Sequence, residues 1–175
     1  TDFDSGDCRF ESYFPSQIKR FKDMYIKNNF ISISQCNELI LYYESNQAVK
    51  FRNTYPLNIS NSNNNTIKLI LEKIYNTAKK LTHDEIKLDN AEIVLWPQES
   101  FMDFHKDHNT DAIAVILYLN DNYDGGCTEI KINKDVKTIS PKSGKAIFFK
   151  GKDLEHRVSK ITSGSRYTIA IWYTG

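Results

Sequence analysis

Apolar residues along this chain change their spacing partway. In the first half they recur at helical intervals. Cys36, Leu39, Ile40 and Tyr43 share one face behind Ser34, whose hydroxyl can cap a helix N-terminus. Ile67, Ile70, Leu71, Ile74, Tyr75 and Ala78 form a second stripe with Lys and Glu opposite, which predicts a helix over 66–81. Strand-like character around Phe30 and Ile31 precedes the first helix. Between the helices, residues 58–65 are almost all Asn and Ser, so a surface loop is expected there, serving as a tolerated insertion or as a lid over a site.

From Lys87 onward the period shortens. Residues 93–96, 112–119, 129–132, 136–139, 146–149 and 167–173 are short β-branched or aromatic runs. Turn signals separate them: Asp124-Gly125-Gly126, Ser140-Pro141 and Ser163-Gly164. Two helices followed by six or more closely spaced strands predict a mainly β fold, a sandwich or small barrel, with flanking helices. One domain is expected over 1–175, divided into a lead-in arm (1–24), a helical buttress (25–86) and a β core (87–175).

Composition narrows the function classes. With 175 residues, 23 basic against 22 acidic side chains and a net charge of +1, there is no electrostatic footprint for nucleic acid or an anionic membrane. The longest apolar run, 112–119, is far shorter than the roughly 20 residues that span a bilayer. Three widely spaced cysteines (Cys8, Cys36, Cys127) form neither a disulfide framework nor a Cys-x-x-Cys metal site. No basic start followed by an apolar block and a cleavage site is visible, so a cytoplasmic location is expected.

The chemistry concentrates in the β half. In Phe104-His105-Lys106-Asp107-His108, side chains two apart on an extended segment point the same way, so His105 and Asp107 can converge. A second imidazole would complete two histidines and one carboxylate, the facial set that leaves metal positions open in non-haem Fe(II) oxygenases. His156, just before another strand, is the candidate. Arg166 opens the apolar strand Arg166-Tyr167-Thr168-Ile169-Ala170-Ile171-Trp172-Tyr173. Burying its charge there is costly unless a carboxylate arrives, and guanidinium binds carboxylate in a two-pronged fork. His108 is out of phase with His105 and reads as a loop residue. His83 lies near a helix end, where a cation is favourable, and has no catalytic part.

These residues fall within motifs that occur in a known order. Leu117-Tyr118-Leu119-Asn120, Gly125-Gly126-Cys127-Thr128, Pro141-Lys142-Ser143-Gly144-Lys145-Ala146, and His156 with Val158, Gly164, Arg166 and Trp172 follow His105-Lys106-Asp107. In this, the stretch 87–173 resembles the prolyl 4-hydroxylase-like branch of the Fe(II)/2-oxoglutarate-dependent dioxygenases. The resemblance implies a double-stranded β-helix, or jelly roll. It implies Fe(II) held by His105, Asp107 and His156, with 2-oxoglutarate and O2 as cosubstrates and ascorbate as a possible reductant. Arg166 would pair with the distal carboxylate of 2-oxoglutarate, helped by the Tyr118 hydroxyl. Trp172 would stand near the substrate mouth, with Trp96 a further lining residue. Trp96 and Met102 occupy positions where the family often has tyrosines, a departure that bears on substrate more than on iron. The implied reaction hydroxylates a C–H bond, of a prolyl residue in a peptide or protein or, as the alternative, of a free amino acid or other small molecule. A catalytically silent jelly-roll binding module is the reading from another class.

Overall fold

The computed structural model describes residues 23–108 and 111–175; the expected lead-in arm lies almost wholly outside them. Two helices and twelve strands follow in the order β1 (Met24–Lys27), α1 (Ile33–Glu44), β2 (Tyr55–Asn58), α2 (Asn65–Thr82), β3 (Lys87–Trp96), β4 (Met102–His105), β5 (Asp111–Tyr118), β6 (Asp124–Gly125), β7 (Thr128–Ile132), β8 (Asp135–Ile139), β9 (Ala146–Phe149), β10 (His156–Val158), β11 (Ile161–Ser163) and β12 (Arg166–Thr174). They pair into a six-stranded sheet ordered β1-β9-β5-β12-β3-β2, a four-stranded sheet β4-β10-β7-β8 and a two-stranded ribbon β11-β6. All of the recorded pairings are antiparallel. This is the jelly roll that the resemblance implied.

The large sheet is buried on both faces, and strand parity sorts its side chains. Odd positions Ile93, Ile113, Val115, Leu117, Ile169 and Ile171 pack against Cys36 and Leu39 of α1 and Ile67, Ile70 and Ile74 of α2. The even positions of β5, Ala114 and Tyr118, turn the other way and, joined by Ile147 and Phe149 of β9, meet Ile130 and Ile139 of the small sheet. On β3 and β12 the same parity sends Val94, Trp96, Thr168, Ala170 and Trp172 toward a cavity between the sheets. The helices therefore buttress one face and leave the other to form the site. Among the described residues, no helix is long and apolar enough to cross a membrane.

Several local expectations change. The N-cap of α1 is Ser32, not Ser34: its side chain accepts from the Gln35 amide, and the Gln35 side chain returns the bond, a reciprocal capping box. Phe30 and Ile31 are not in a strand. Their amides donate to the Gly144 carbonyl, and their buried side chains anchor the entry to α1. The Asn-rich stretch is no lid. Ser60 and Asn58 bond Asn90 and Ala91 of β3, Ile59 is buried, and Asn64 caps α2. It borders a separate hollow beside α2 and does not line the site. His83 is the C-cap of α2 in a left-handed conformation.

Candidate metal centre and active site

His105 ends β4 and His156 begins β10, and the two are direct cross-strand partners. That register, unreadable from residues so far apart in the chain, sets their ring centroids 4.3 Å apart. Asp107 follows two residues after His105. Its Oδ1 lies 3.9 Å from His105 Nε2 and 3.4 Å from His156 Nε2. One ligand atom from each of the three falls within 4.8 Å of the others.

The imidazoles are oriented for ligation. His105 Nδ1 stands 2.9 Å from the Asp103 carbonyl and His156 Nδ1 2.9 Å from the Leu154 carbonyl. A carbonyl only accepts, so each Nδ1 donates a proton there and each ring turns its Nε2, the atom that would ligate a metal, to the centre. His156 is further held edge-on by Phe149, at a centroid distance of 4.8 Å.

Asp107 owes its place to Gly151. The Asp107 amide donates to the Gly151 carbonyl at 3.0 Å. A Cβ on residue 151 would stand 1.8 Å from Asp107 Oδ2 and 2.7 Å from its Cγ. That oxygen is buried without a hydrogen-bond partner among the described residues. An uncompensated buried carboxylate is costly, and a cation held by Oδ1 and the two Nε2 atoms is the natural compensation. The donor set, two imidazoles and one carboxylate, fits Fe(II). Gly151→Ala is expected to push the carboxylate aside and weaken Mn(II) binding, used as a redox-stable stand-in, by about 10–100-fold, the range for losing a group that orients a ligand. A calorimetric titration equal to that of the parent protein would show that Asp107 does not depend on this contact.

Arg166 lines the same cavity, whose volume is about 260 Å³. It is 1% exposed. Its cross-strand partner is Trp96, and its guanidinium sits 5.0 Å over the Trp96 ring and 5.4 Å over the Tyr118 ring. No carboxylate pairs with it among the described residues; its Nη2 reaches Thr128 Oγ1 at 3.5 Å, and Nε has no partner among them. Gly126, at φ +62°, lets the chain pass here, since a Cβ would come within 3.2 Å of Arg166 Cδ and 2.9 Å of the Tyr123 ring. The buried polar side-chain atoms without partners among the described residues are Trp96 Nε1, Asp107 Oδ2, Tyr123 OH and Arg166 Nε. Three belong to residues on the cavity wall. Tyr123 stands behind them: burial raises its pKa, against the opposing charge of Arg166, so it is a neutral phenol. Unsatisfied polar groups are rare in cores, and their concentration around one cavity marks a ligand site.

The expected Tyr118 contact takes another form. Tyr118 is fully buried, and its hydroxyl bonds Thr128 Oγ1 at 2.6 Å, accepts from the Thr128 amide at 3.1 Å and reaches the Ile139 carbonyl at 3.3 Å. Thr128, not Tyr118, faces the cavity. In the sequence Thr128 is only the end of a Gly-Gly-x-Thr turn; its bonds to Tyr118 of β5 and Arg166 of β12 join the small sheet to the large one and have no local signature. Trp96 and Trp172 both line the cavity, as do Phe51, Arg52 and Glu92, which sequence reasoning passed over. His108 does not; its amide donates to Asp111 Oδ2, and the Asp111 amide returns a bond to the His108 carbonyl. Burial pushes the Asp111 carboxyl up, and the charge of Asp107 acts in the same direction.

Residues 88–174, about half of the chain, match the family model of the 2OG-Fe(II) oxygenase superfamily. Prolyl 3-hydroxylase 1 of Gallus gallus is 29% identical over 148 residues, 77% of this chain and 19% of the relative. The chain thus spans about a fifth of that relative's length. In fold it is similar to the viral collagen prolyl hydroxylase of Paramecium Bursaria Chlorella virus-1, solved as a 2OG complex, with a TM-score of 0.73 and 19% identity over 88% of this chain and 96% of the other. A prolyl-4-hydroxylase of Pseudomonas putida gives a TM-score of 0.73 and 15% identity, with 87% and 92% covered.

Proposed function

The chain belongs to the 2OG-Fe(II) oxygenase superfamily, and from that premise we propose that it hydroxylates a C–H bond of a prolyl residue in a peptide or protein, using Fe(II), 2-oxoglutarate and O2. The observation that carries this reading is the pairing, in one cavity, of a three-ligand set with a buried arginine that lacks a counter-charge. Bound iron supplies the redox chemistry: one oxygen atom of O2 enters the substrate, and the other enters succinate as 2-oxoglutarate loses CO2. Ascorbate is the proposed reductant that keeps the metal ferrous.

The protein's own groups bind, orient and shield. His105, Asp107 and His156 would hold the metal through Nε2, Oδ1 and Nε2. Arg166 would receive the distal carboxylate of 2-oxoglutarate. The hydroxyl of Thr128 supports it from the side: the Thr128–Tyr118 pair can orient its proton either into the strand or into the cavity. Apolar walls from Ala114, Ile116, Phe149 and Ala170 exclude water from the space between metal and arginine. The peptidyl substrate enters past Trp172 and Met102.

The test is a panel of proline-containing peptides and free amino acids, incubated with protein, Fe(II) and 2-oxoglutarate and read by mass spectrometry. A gain of one oxygen on a peptidyl proline, matched by succinate, is the expected result. Oxygen gain on free amino acids but on no peptide would replace the peptidyl reading by a small-molecule hydroxylase.

A further inference from the structure

The metal cavity does not end at its mouth. Arg52, Met102 and His105 line it and also line an open groove of about 700 Å³ that runs along β4, over Asn53, Phe101, Asp103, Phe104 and Lys106. β4 is an edge strand of the small sheet. The groove holds more than twice the 260 Å³ of the cavity. A compact metabolite needs only the cavity, whereas an extended chain would use both.

Arg52 stands where the two meet, and its backbone is held against its own preference. It has φ +55°, a left-handed conformation that residues with a Cβ adopt at an energetic cost. The neighbouring Asn53 is the residue type that tolerates this conformation, yet the arginine occupies it. Phe51 and Thr54 close the turn with reciprocal backbone bonds of 2.9 and 3.0 Å. Asn53 then ties the turn down. Its side-chain amide donates to the Phe101 carbonyl at 3.0 Å, and its own carbonyl accepts from the Ser100 hydroxyl at 3.0 Å. The surroundings thus fix an exposed cation at the site's entrance.

The other cations nearby are mostly neutralised. Arg157 pairs with Glu129 at 2.6 Å, Lys131 with Glu155 at 3.0 Å, and Lys160 with Glu99. Arg52 contacts the Phe51 ring, 5.3 Å from its centroid, and has no carboxylate partner among the described residues. Of the charged groove residues, Arg52 and Lys106 outnumber Asp103. A guanidinium with open donors, set in a cationic groove beside a metal site, is a carboxylate receptor.

We propose that Arg52 recognises a carboxylate on the substrate, that of an acidic residue flanking the hydroxylated position of a polypeptide extended along β4. The inference rests on the peptidyl reading above and names the sequence context that the enzyme selects. A carboxylate could also come from the α-carboxyl group of a free amino acid, and the experiment separates the two sources.

The experiment compares peptides of one length with a central proline flanked by Asp or Glu, by Asn or Gln, or by Lys, together with free proline and its amide. Each is titrated against the Mn(II)- and 2-oxoglutarate-loaded protein by fluorescence polarisation or calorimetry, and against the Fe(II) enzyme by succinate release. Acidic-flanked peptides are expected to bind about tenfold more tightly than their amide counterparts, the size a charge-assisted bond at a partly exposed site supports. Arg52→Gln should erase that preference, and Arg52→Glu should invert it in favour of Lys-flanked peptides. The change should appear in the KM for peptide and not in the KM for 2-oxoglutarate. If peptides are hydroxylated but the acidic preference is absent, or survives in Arg52→Gln, the assignment of Arg52 is wrong while the peptidyl reading stands. If free proline is preferred over its amide, no peptide binds, and Arg52→Gln removes the discrimination, the peptidyl reading fails and the carboxylate role stands with the other source. Absence of any carboxylate discrimination in the parent protein overturns the proposal.

Discussion

Arg166→Ala is expected to raise the 2-oxoglutarate concentration for half-saturation by two or more orders of magnitude. The guanidinium is buried between two aromatic rings, reaches a threonine hydroxyl and has no carboxylate partner among the described residues, so the ligand carboxylate is the charge that completes it. Breaking a buried charge pair from one side costs about 3–5 kcal/mol, and each 1.4 kcal/mol or so is tenfold in affinity. Arg166→Lys should fall between, because it keeps the charge and loses the fork. Thr128→Val should show a smaller loss of the same kind, about 0.5–1.5 kcal/mol for one hydrogen bond. Titrating 2-oxoglutarate into the Fe(II) protein under anaerobic conditions, with the chelate absorbance as signal, measures all three. Metal affinity serves as the internal control, since Arg166 is not among the three clustered ligand residues. A folded Arg166→Ala that binds 2-oxoglutarate like the parent protein would remove the cosubstrate from this strand.

The second large effect concerns the metal. His105→Gln and His156→Gln each delete one of three donors while keeping much of the side-chain volume. Outer groups that merely orient a ligand are worth about 10–100-fold in metal affinity, so loss of a ligand itself should exceed about 100-fold and abolish turnover. Glutamine is preferred to alanine at position 156 because the ring packs on Phe149, and truncation would add a packing loss to the result. Binding to the native state alone raises thermal stability. Mn(II) should therefore raise the melting temperature of the parent protein and leave that of either variant unchanged. Equal upshifts in all three proteins would place the metal elsewhere.

The fold was legible because its signals are local. Helical spacing from Ile67 to Ala78 marks α2, and the β-branched runs mark β5, β9 and β12, whose burial on both faces makes them continuously apolar. Weaker elements escaped for an equally physical reason. β4, β6, β10 and β11 have four residues or fewer and little periodicity. They exist because neighbouring strands complete their hydrogen bonds. The start of α1 was misplaced by two residues since Ser32 and Ser34 are both good caps, and the choice between them falls to the returning bond from Gln35.

The candidate site divides along the same line. His105 and Asp107, two apart, could be paired by strand geometry within a single segment, and Arg166 stood out as a charge on an apolar strand. Those inferences follow from the chain alone, because period and desolvation cost act over a few residues. Everything that depends on two distant segments meeting was left to the tertiary structure. The β4–β10 register places His156 opposite His105. The absence of a side chain at Gly151 makes room for the Asp107 carboxylate. Thr128, carried in by β7, takes the Tyr118 hydroxyl and leaves its own side chain on the cavity wall. The turn at Arg52 reaches the mouth only because Asn53 bonds the loop before β4. Such contacts depend on register and on packing at sub-ångström tolerance, and no residue pattern within either partner segment encodes them.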